Sequence, residues 1–172
     1  MSNKENEYYD EKQLSPFLNI DDILPILSKI TIFAGLSRRQ LYTLFGLLEN
    51  AHYKAGEIIF DEGQHPSHIY IVKSGSVKLV VDAKQTPLEL IVFEEGQCFG
   101  ETSVIGIQPH SATAISVKDT ELIVLSRNAL LSLFKTDLEL FSILILNIAR
   151  EACRRLHKTD EILMHYVLRN NT

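Results

Sequence analysis

The middle of the chain, from Ala51 to about Ser126, alternates short apolar runs with glycine or polar turns. Runs such as HIYIV and LELIVF have the length and the Val, Ile, Leu and Tyr content of β-strands. Strands of this length at this spacing are typical of an antiparallel sandwich or barrel. We therefore expect an antiparallel sandwich or barrel, referred to below as the roll. The KSGS segment at residues 73–76 predicts a hairpin between two of its strands.

Helical periodicity flanks the predicted roll on both sides. Apolar spacing from Ile20 to Ile30 favours a short helix, and Ser37 to Gln40 reads as the capping box of another. After the roll, the pattern predicts a helix from Asn128 to Phe134. A second capping-box sequence, TDLE at residues 136–139, then precedes a helical run of about thirty residues. The predicted fold class is α+β, with N-terminal helices and a long C-terminal helix.

The long helix carries apolar residues at alternating steps of four and three, a spacing typical of an a/d seam with one polar position. These positions are Ile145, Ala149, Ala152, Leu156, Thr159, Leu163 and Tyr166. A helix this long outruns a small roll, so we expect a homodimer through its far half, with packing on its own domain as the alternative. The expected organisation is a flexible tail at 1–18, a domain at 19–135 and the long helix at 136–172.

Composition excludes several classes of protein. The formal net charge of −5 argues against a broad nucleic-acid surface, and the basic cluster Arg150, Arg154, Arg155 and Lys158 is spaced like one exposed helix face. No apolar run is long enough to span a bilayer, which predicts a cytoplasmic protein with no membrane partner. Cys98 and Cys153 lack CxxC spacing, so we expect two buried free thiols. The six histidines show no HxH pairing, which argues against a metal site or a metalloenzyme.

Four motifs in this order resemble the cyclic nucleotide-binding domain of catabolite activator proteins, cyclic-AMP-dependent kinase regulatory subunits and cyclic-nucleotide-gated channels. They are GEIIFDEG at 56–63, IYIVKSGSV at 69–77, FGE at 99–101 and PHSAT at 109–113. The resemblance covers roughly Ile30 to Val167 and implies that the roll is an eight-stranded antiparallel β-roll, jelly-roll-like in arrangement. It implies a non-catalytic regulatory domain without a resident cofactor, whose ligand would be cAMP or cGMP.

The resemblance places a phosphate-binding cassette at Phe99 and the residues after it. Backbone N–H groups of Gly100, Glu101, Thr102 and Ser103 would hold the phosphate, aided by the partial positive charge of a helix end. The carboxylate of Glu101 would accept a hydrogen bond from the ribose 2′-hydroxyl.

The family's phosphate-binding arginine is replaced here by His110, which Ser111 and Ala112 follow. A histidine with a reference pKa of about 6.5 is mostly neutral at pH 7 and cannot make the two-point guanidinium contact. The substitution should weaken phosphate binding by roughly ten- to a hundredfold. The backbone donors and Ser111 would remain, and a bound anion would raise the pKa of His110 and supply a conditional charge.

The long helix carries RRLHKTDE at residues 154–161, similar to RRLxxTxE in the activator proteins. The family's threonine at this place reaches the purine, which makes Thr159 the candidate base contact. Asp160 stands where the family has serine, and an acceptor there suits the N1 and N2 donors of guanine.

Two functions remain open from the sequence. The first is a sensor that binds a cyclic nucleotide weakly and signals to an unknown downstream protein. The second is a degenerate cyclic nucleotide-binding fold that acts as a dimeric interaction module or binds a different ligand. Only LRNNT follows Val167, so we expect no helix-turn-helix and no nucleic-acid partner.

Overall fold

The computed structural model describes residues 15–16 and 23–170. Its strands are β1 (Ser15–Pro16), β2 (Leu48–Tyr53), β3 (Ile58–Phe60), β4 (His68–Ser74), β5 (Val77–Val81), β6 (Leu88–Phe93), β7 (Cys98–Phe99), β8 (Thr113–Ser116) and β9 (Thr120–Ser126). Its α-helices are α1 (Arg38–Phe45), α2 (Glu101–Gly106), α3 (Arg127–Thr136) and α4 (Leu138–Asn170). The predicted tail lies outside the described residues except for β1, which pairs with β2.

Two antiparallel sheets form the roll, in the orders β1-β2-β9-β4-β7 and β3-β8-β5-β6. The eight strands β2 to β9 confirm the predicted α+β fold with its β-roll. The central strands β4 and β9 are buried on both faces: Ile69 and Ile71 join the core beneath the helices, while Tyr70 and Val72 face the second sheet. This double burial explains why these strands are almost continuously apolar in sequence.

The predicted hairpin at residues 73–76 is wrong. β4 pairs with β7 and β9, whereas β5 pairs with β6 and β8, so the turn carries the chain from one sheet to the other. Gly75 has a φ of 96°, and Thr120 holds the crossing, because its Oγ1 accepts from the Ser76 N–H at 3.2 Å. The turn residues were read correctly, but the pairing partners lie far away in sequence.

The N-terminal segment before the roll also differs from its prediction. From Ile23 the chain forms turns and two 3₁₀ helices, Leu27–Lys29 and Thr31–Phe33, where the pattern favoured one short α-helix. The backbone N–H groups bond three residues back, as in Lys29 to the Ile26 carbonyl at 2.8 Å. The capping box at Ser37 is confirmed, since Ser37 and Gln40 exchange both bonds at the start of α1.

Helix α4 begins one residue later than the TDLE prediction requires. Asp137, and not Thr136, is its N-cap: Oδ1 of Asp137 accepts from the Leu140 N–H at 3.0 Å. The first turns of α4 bury Leu140, Leu144 and Ile148 in the core beneath the helices. All side chains from 156 to 168 are exposed.

The two cysteines have different surroundings. Cys98 is buried in β7, and burial raises the pKa of its thiol to about 11, so it is protonated. Cys153 is exposed on α4, which corrects the expectation of two buried thiols. Both are free thiols.

Candidate functional site

The turn from β7 into α2 builds the centre of the predicted cassette. Gly100 has a φ of 81° and precedes the first residue of α2, which has only six residues. A Cβ added to Gly100 would lie 3.0 Å from the His68 carbonyl oxygen and 3.3 Å from Cδ2 of Tyr70. The left-handed backbone and the close approach of β4 both favour glycine here. The chain can therefore turn sharply and direct the first residue of α2 to the interior.

Glu101 is the first residue of α2, and its side chain is fully buried. Its Oε1 forms an ion pair with Nη2 of Arg155. Neither of its carboxylate oxygens accepts a hydrogen bond from the described residues. A buried carboxylate needs both a counter-charge and hydrogen bonds, so Glu101 has its counter-charge but still lacks hydrogen-bond donors, most plainly at Oε2.

Arg155 reaches the cassette from α4. Besides Glu101, its guanidinium donates from Nη1 to the Cys98 carbonyl at 3.2 Å and lies 5.4 Å from the centre of the Phe93 ring. Burial lowers the pKa of the guanidinium, but an arginine stays charged at physiological pH. Three different contacts therefore fix one cation between β6, β7 and α2.

The Arg155 contact was missed from the sequence, where Arg155 was assigned to an exposed helix face. The sequence did place Arg155 on the same helix face as Thr159, the predicted base contact, because the two are four residues apart. The contact with Glu101 joins residues far apart in the chain, and no local pattern marks such a pair.

His110 lies inside the roll. Its ring stacks on Phe60 with centroids 3.7 Å apart and an interplanar angle of 11°, and only 5% of the residue is exposed. Burial lowers the pKa of His110 to about 4. The ring is therefore neutral at pH 7 in the unliganded protein, and the charge that a bound anion would induce stays a prediction.

The backbone of the His110 segment is fixed by the loop between β3 and β4. The His110 N–H donates to the Gln64 carbonyl at 2.9 Å, and its carbonyl accepts from Gly63 at 2.8 Å. Oγ1 of buried Thr113 accepts from the Glu62 N–H at 3.1 Å. These bonds hold the segment that carries exposed Ser111 and buried Ala112 in a single conformation.

The remaining predicted contacts occupy three environments. Phe99 is buried and stacks on Tyr70 at 5.1 Å, so it supports the cassette from the interior. Thr102 is exposed and Ser103 half-buried on α2. Thr159 and Asp160 are exposed on α4.

Thr159 lies on α4, one turn after Arg155. Its Oγ1 donates to the Arg155 carbonyl at 3.0 Å. One helical turn, about 6 Å along the axis, separates it from Arg155, so it stands just beyond the ion pair on the same helix face. Its contact with a purine stays a prediction, as do the ligand contacts of the other cassette residues.

Two kinds of site find no support in the part of the chain that the structure describes. No group of three or more His, Cys, Asp and Glu side chains there could hold a metal ion. None of the described helices combines the length and the apolar character that crossing a membrane requires.

The cyclic nucleotide-binding domain family matches residues 50–137, which hold the roll, the cassette and α3. The chain belongs to this family. The cyclic AMP receptor protein of Thermus thermophilus is 30% identical over 132 residues, which are 75% of this chain and 58% of that protein. A cGMP-dependent protein kinase of Caenorhabditis elegans is 26% identical over 110 residues, which are 62% of this chain and 14% of the kinase. The chain thus spans less than two thirds of either relative.

Solved structures show the same fold. The catabolite activator protein of Thermus thermophilus superimposes with a TM-score of 0.69 at 28% identity, covering 80% of this chain and 63% of that one. A cyclic nucleotide-binding domain from Methylobacillus flagellatus superimposes with a TM-score of 0.74 at 23% identity, covering 84% of this chain and 83% of that one.

Proposed function

We propose that this chain is a non-catalytic sensor that binds a cyclic nucleotide weakly at the cassette and signals through α4. The observation that carries the proposal is the ion pair between Glu101 and Arg155. It joins the turn that would hold the ligand to the helix whose far half is exposed. A ligand hydroxyl that bonds to Glu101 would shift the ion pair with Arg155 without breaking it, and so move α4.

Weak binding follows from His110. The position where a fixed cation would meet a phosphate holds a neutral, buried imidazole instead. The loss of one charged hydrogen bond weakens binding by roughly ten- to a hundredfold. The backbone N–H groups of α2 and the hydroxyl of Ser111 remain available to a ligand.

Calorimetric titration with cAMP and cGMP up to millimolar concentration tests the proposal, together with hydrogen exchange of α4 in the free and saturated protein. We expect weak saturable binding, loss of that binding in Glu101→Ala, and altered exchange at residues 151–168. Lys158→Gln is the matched control, because Lys158 is exposed on the same helix. No saturable binding of either cyclic nucleotide or of its parent nucleoside would contradict a sensor function.

A second candidate function is a dimeric interaction module whose cassette binds no ligand. The observation that favours it is the exposed apolar residues Leu156, Leu163 and Tyr166 on α4. A self-associating protein whose α4 exchange is indifferent to every ligand above would support this function. The downstream partner would then recognise the dimer itself.

A further inference from the structure

The charges at the cassette already balance without a ligand. The segments 98–103 and 110–113 carry one charged side chain, Glu101, and one imidazole, His110. Arg155 neutralises Glu101 from α4. The net charge of this group of side chains is therefore zero while the imidazole is neutral.

His110 is poorly placed to add a positive charge. Its ring stacks on Phe60 inside the roll, and both its backbone groups are bonded to the loop at 63–64. Burial lowers the pKa of the imidazole to about 4, so protonation is costly before any anion arrives. The imidazole of His68, on the strand beside Gly100, is subject to the same effect, because burial lowers its pKa too.

Arg155 is equally poorly placed to bind a phosphate. Its guanidinium is shared among Glu101, the Cys98 carbonyl and the Phe93 ring. If a phosphate withdrew it, Glu101 would be left as a buried carboxylate without a counter-charge, which is strongly unfavourable.

The nearest loop adds negative charge. Asp61 and Glu62 lie in the loop that bonds to the His110 segment, and the Glu62 carboxylate accepts from the Asp82 N–H at 3.3 Å. These carboxylates are partly or fully exposed, so solvent screens them, but their sign opposes an anionic ligand.

What the cassette lacks is a neutral donor. Oε2 of Glu101 is buried and has no donor among the described residues. A sugar hydroxyl could fill that position without displacing Arg155, since a carboxylate oxygen accepts more than one hydrogen bond. A ligand that offers hydroxyl groups and no charge fits these side chains better than a monoanion does.

We propose that the cassette selects an uncharged purine nucleoside over the corresponding 3′,5′-cyclic nucleotide. This inference rests on the proposed function, which places ligand binding at the cassette and the purine at Thr159. Glu101 and Arg155 together determine the selectivity: the pair accepts a ribose hydroxyl and leaves no charge to balance a phosphate. A buried phosphate would make the site net negative.

The test compares the affinities of adenosine with cAMP and of guanosine with cGMP, by calorimetry on the full chain. We expect each nucleoside to bind about tenfold or more tightly than its cyclic nucleotide. A cyclic nucleotide that binds as tightly as its nucleoside overturns the selectivity and leaves the sensor function intact. No binding of either class overturns both proposals.

Two variants locate the selectivity in the charge balance. Glu101→Gln keeps an acceptor and frees the charge of Arg155, so the affinity ratio should shift towards the cyclic nucleotide by about tenfold or more. Glu62→Gln is the control, because it removes an exposed carboxylate and should shift the ratio by less than about twofold. Equal shifts in the two variants would contradict the inference. The wild-type affinity ratio stands as a test even where a variant fails to fold, which circular dichroism would reveal.

Discussion

Gly100 combines a left-handed backbone with a close approach to β4, so a side chain there meets two penalties. We expect Gly100→Ala to lower the free energy of unfolding by more than the roughly 1 to 2 kcal/mol of left-handed strain alone. The extra loss comes from a Cβ only 3.0 Å from the His68 carbonyl oxygen. Urea unfolding measures it.

The chain offers a matched control for this substitution. Gly56 has a φ of 84°, but a Cβ there would find nothing within 4 Å. Gly56→Ala should show the strain without the collision. Equal losses in the two variants would mean that the turn into α2 can relax away from β4.

His110 makes stability depend on pH. Its pKa falls from about 6.5 unfolded to about 4 folded, so the unfolded chain binds more protons between these values. The contribution of His110 to the free energy of unfolding is therefore present above pH 6.5 and is lost as the pH falls towards 4. We expect a loss of about 2 kcal/mol from this residue between pH 7 and pH 5.

Urea unfolding at pH 5, 6 and 7 measures this loss, with His110→Gln as the comparison. Burial lowers the pKa of His68 as well, so part of the pH dependence should survive in the variant. A variant with an unchanged pH dependence would place the His110 ring in contact with water rather than against Phe60.

At the residue scale the sequence predicted local motifs better than it predicted the burial and the partners of single side chains. The FGE turn and the Ser37 capping box were recognisable because their geometry is local. The burial of His110 against Phe60 and the pairing of Glu101 with Arg155 depend on residues distant in the chain, so no local pattern carried them.

The start of α4 depends on which of two adjacent residues caps it. Asp137 accepts from the Leu140 N–H, whereas the Thr136 hydroxyl donates back to the Ser132 carbonyl in α3 at 3.1 Å. We expect Asp137→Ala to cost about 1 kcal/mol of unfolding free energy, and Thr136→Ala clearly less. Thermal unfolding of the two variants measures both losses. A larger loss for Thr136→Ala than for Asp137→Ala would mean that Thr136 caps the helix, as the TDLE pattern predicted.

The two errors at the element scale have separate causes. Thr136 and Asp137 are both good capping residues, and spacing alone could not choose between them. The turn at 73–76 joins two apolar strands, as a hairpin does. Its strands β4 and β5 nevertheless belong to different sheets and pair with strands distant in the chain. Strand content follows from local periodicity, whereas pairing follows from the closed architecture of the whole roll.

The far half of α4 predicts self-association of the whole molecule. Leu163 lies on the predicted seam, and Met164, its neighbour, lies off it; they are 58% and 63% exposed. We expect Leu163→Asp to shift a dimer towards monomer in sedimentation equilibrium, because a charge at a seam position faces its copy. Met164→Asp should leave the dimer unchanged. If both variants behave alike, the contact lies elsewhere on the molecule.

Because Arg155 and the exposed seam belong to one helix, a ligand bound at the cassette and a dimer formed through α4 would be thermodynamically linked wherever ligand binding moves that helix. Whatever factor a ligand applies to the dimer association constant, association must apply to the ligand's affinity. Apparent affinity would then vary with protein concentration, and titrations at micromolar and nanomolar protein would give different constants. The helix would thus let the protein's abundance set the ligand concentration to which it responds.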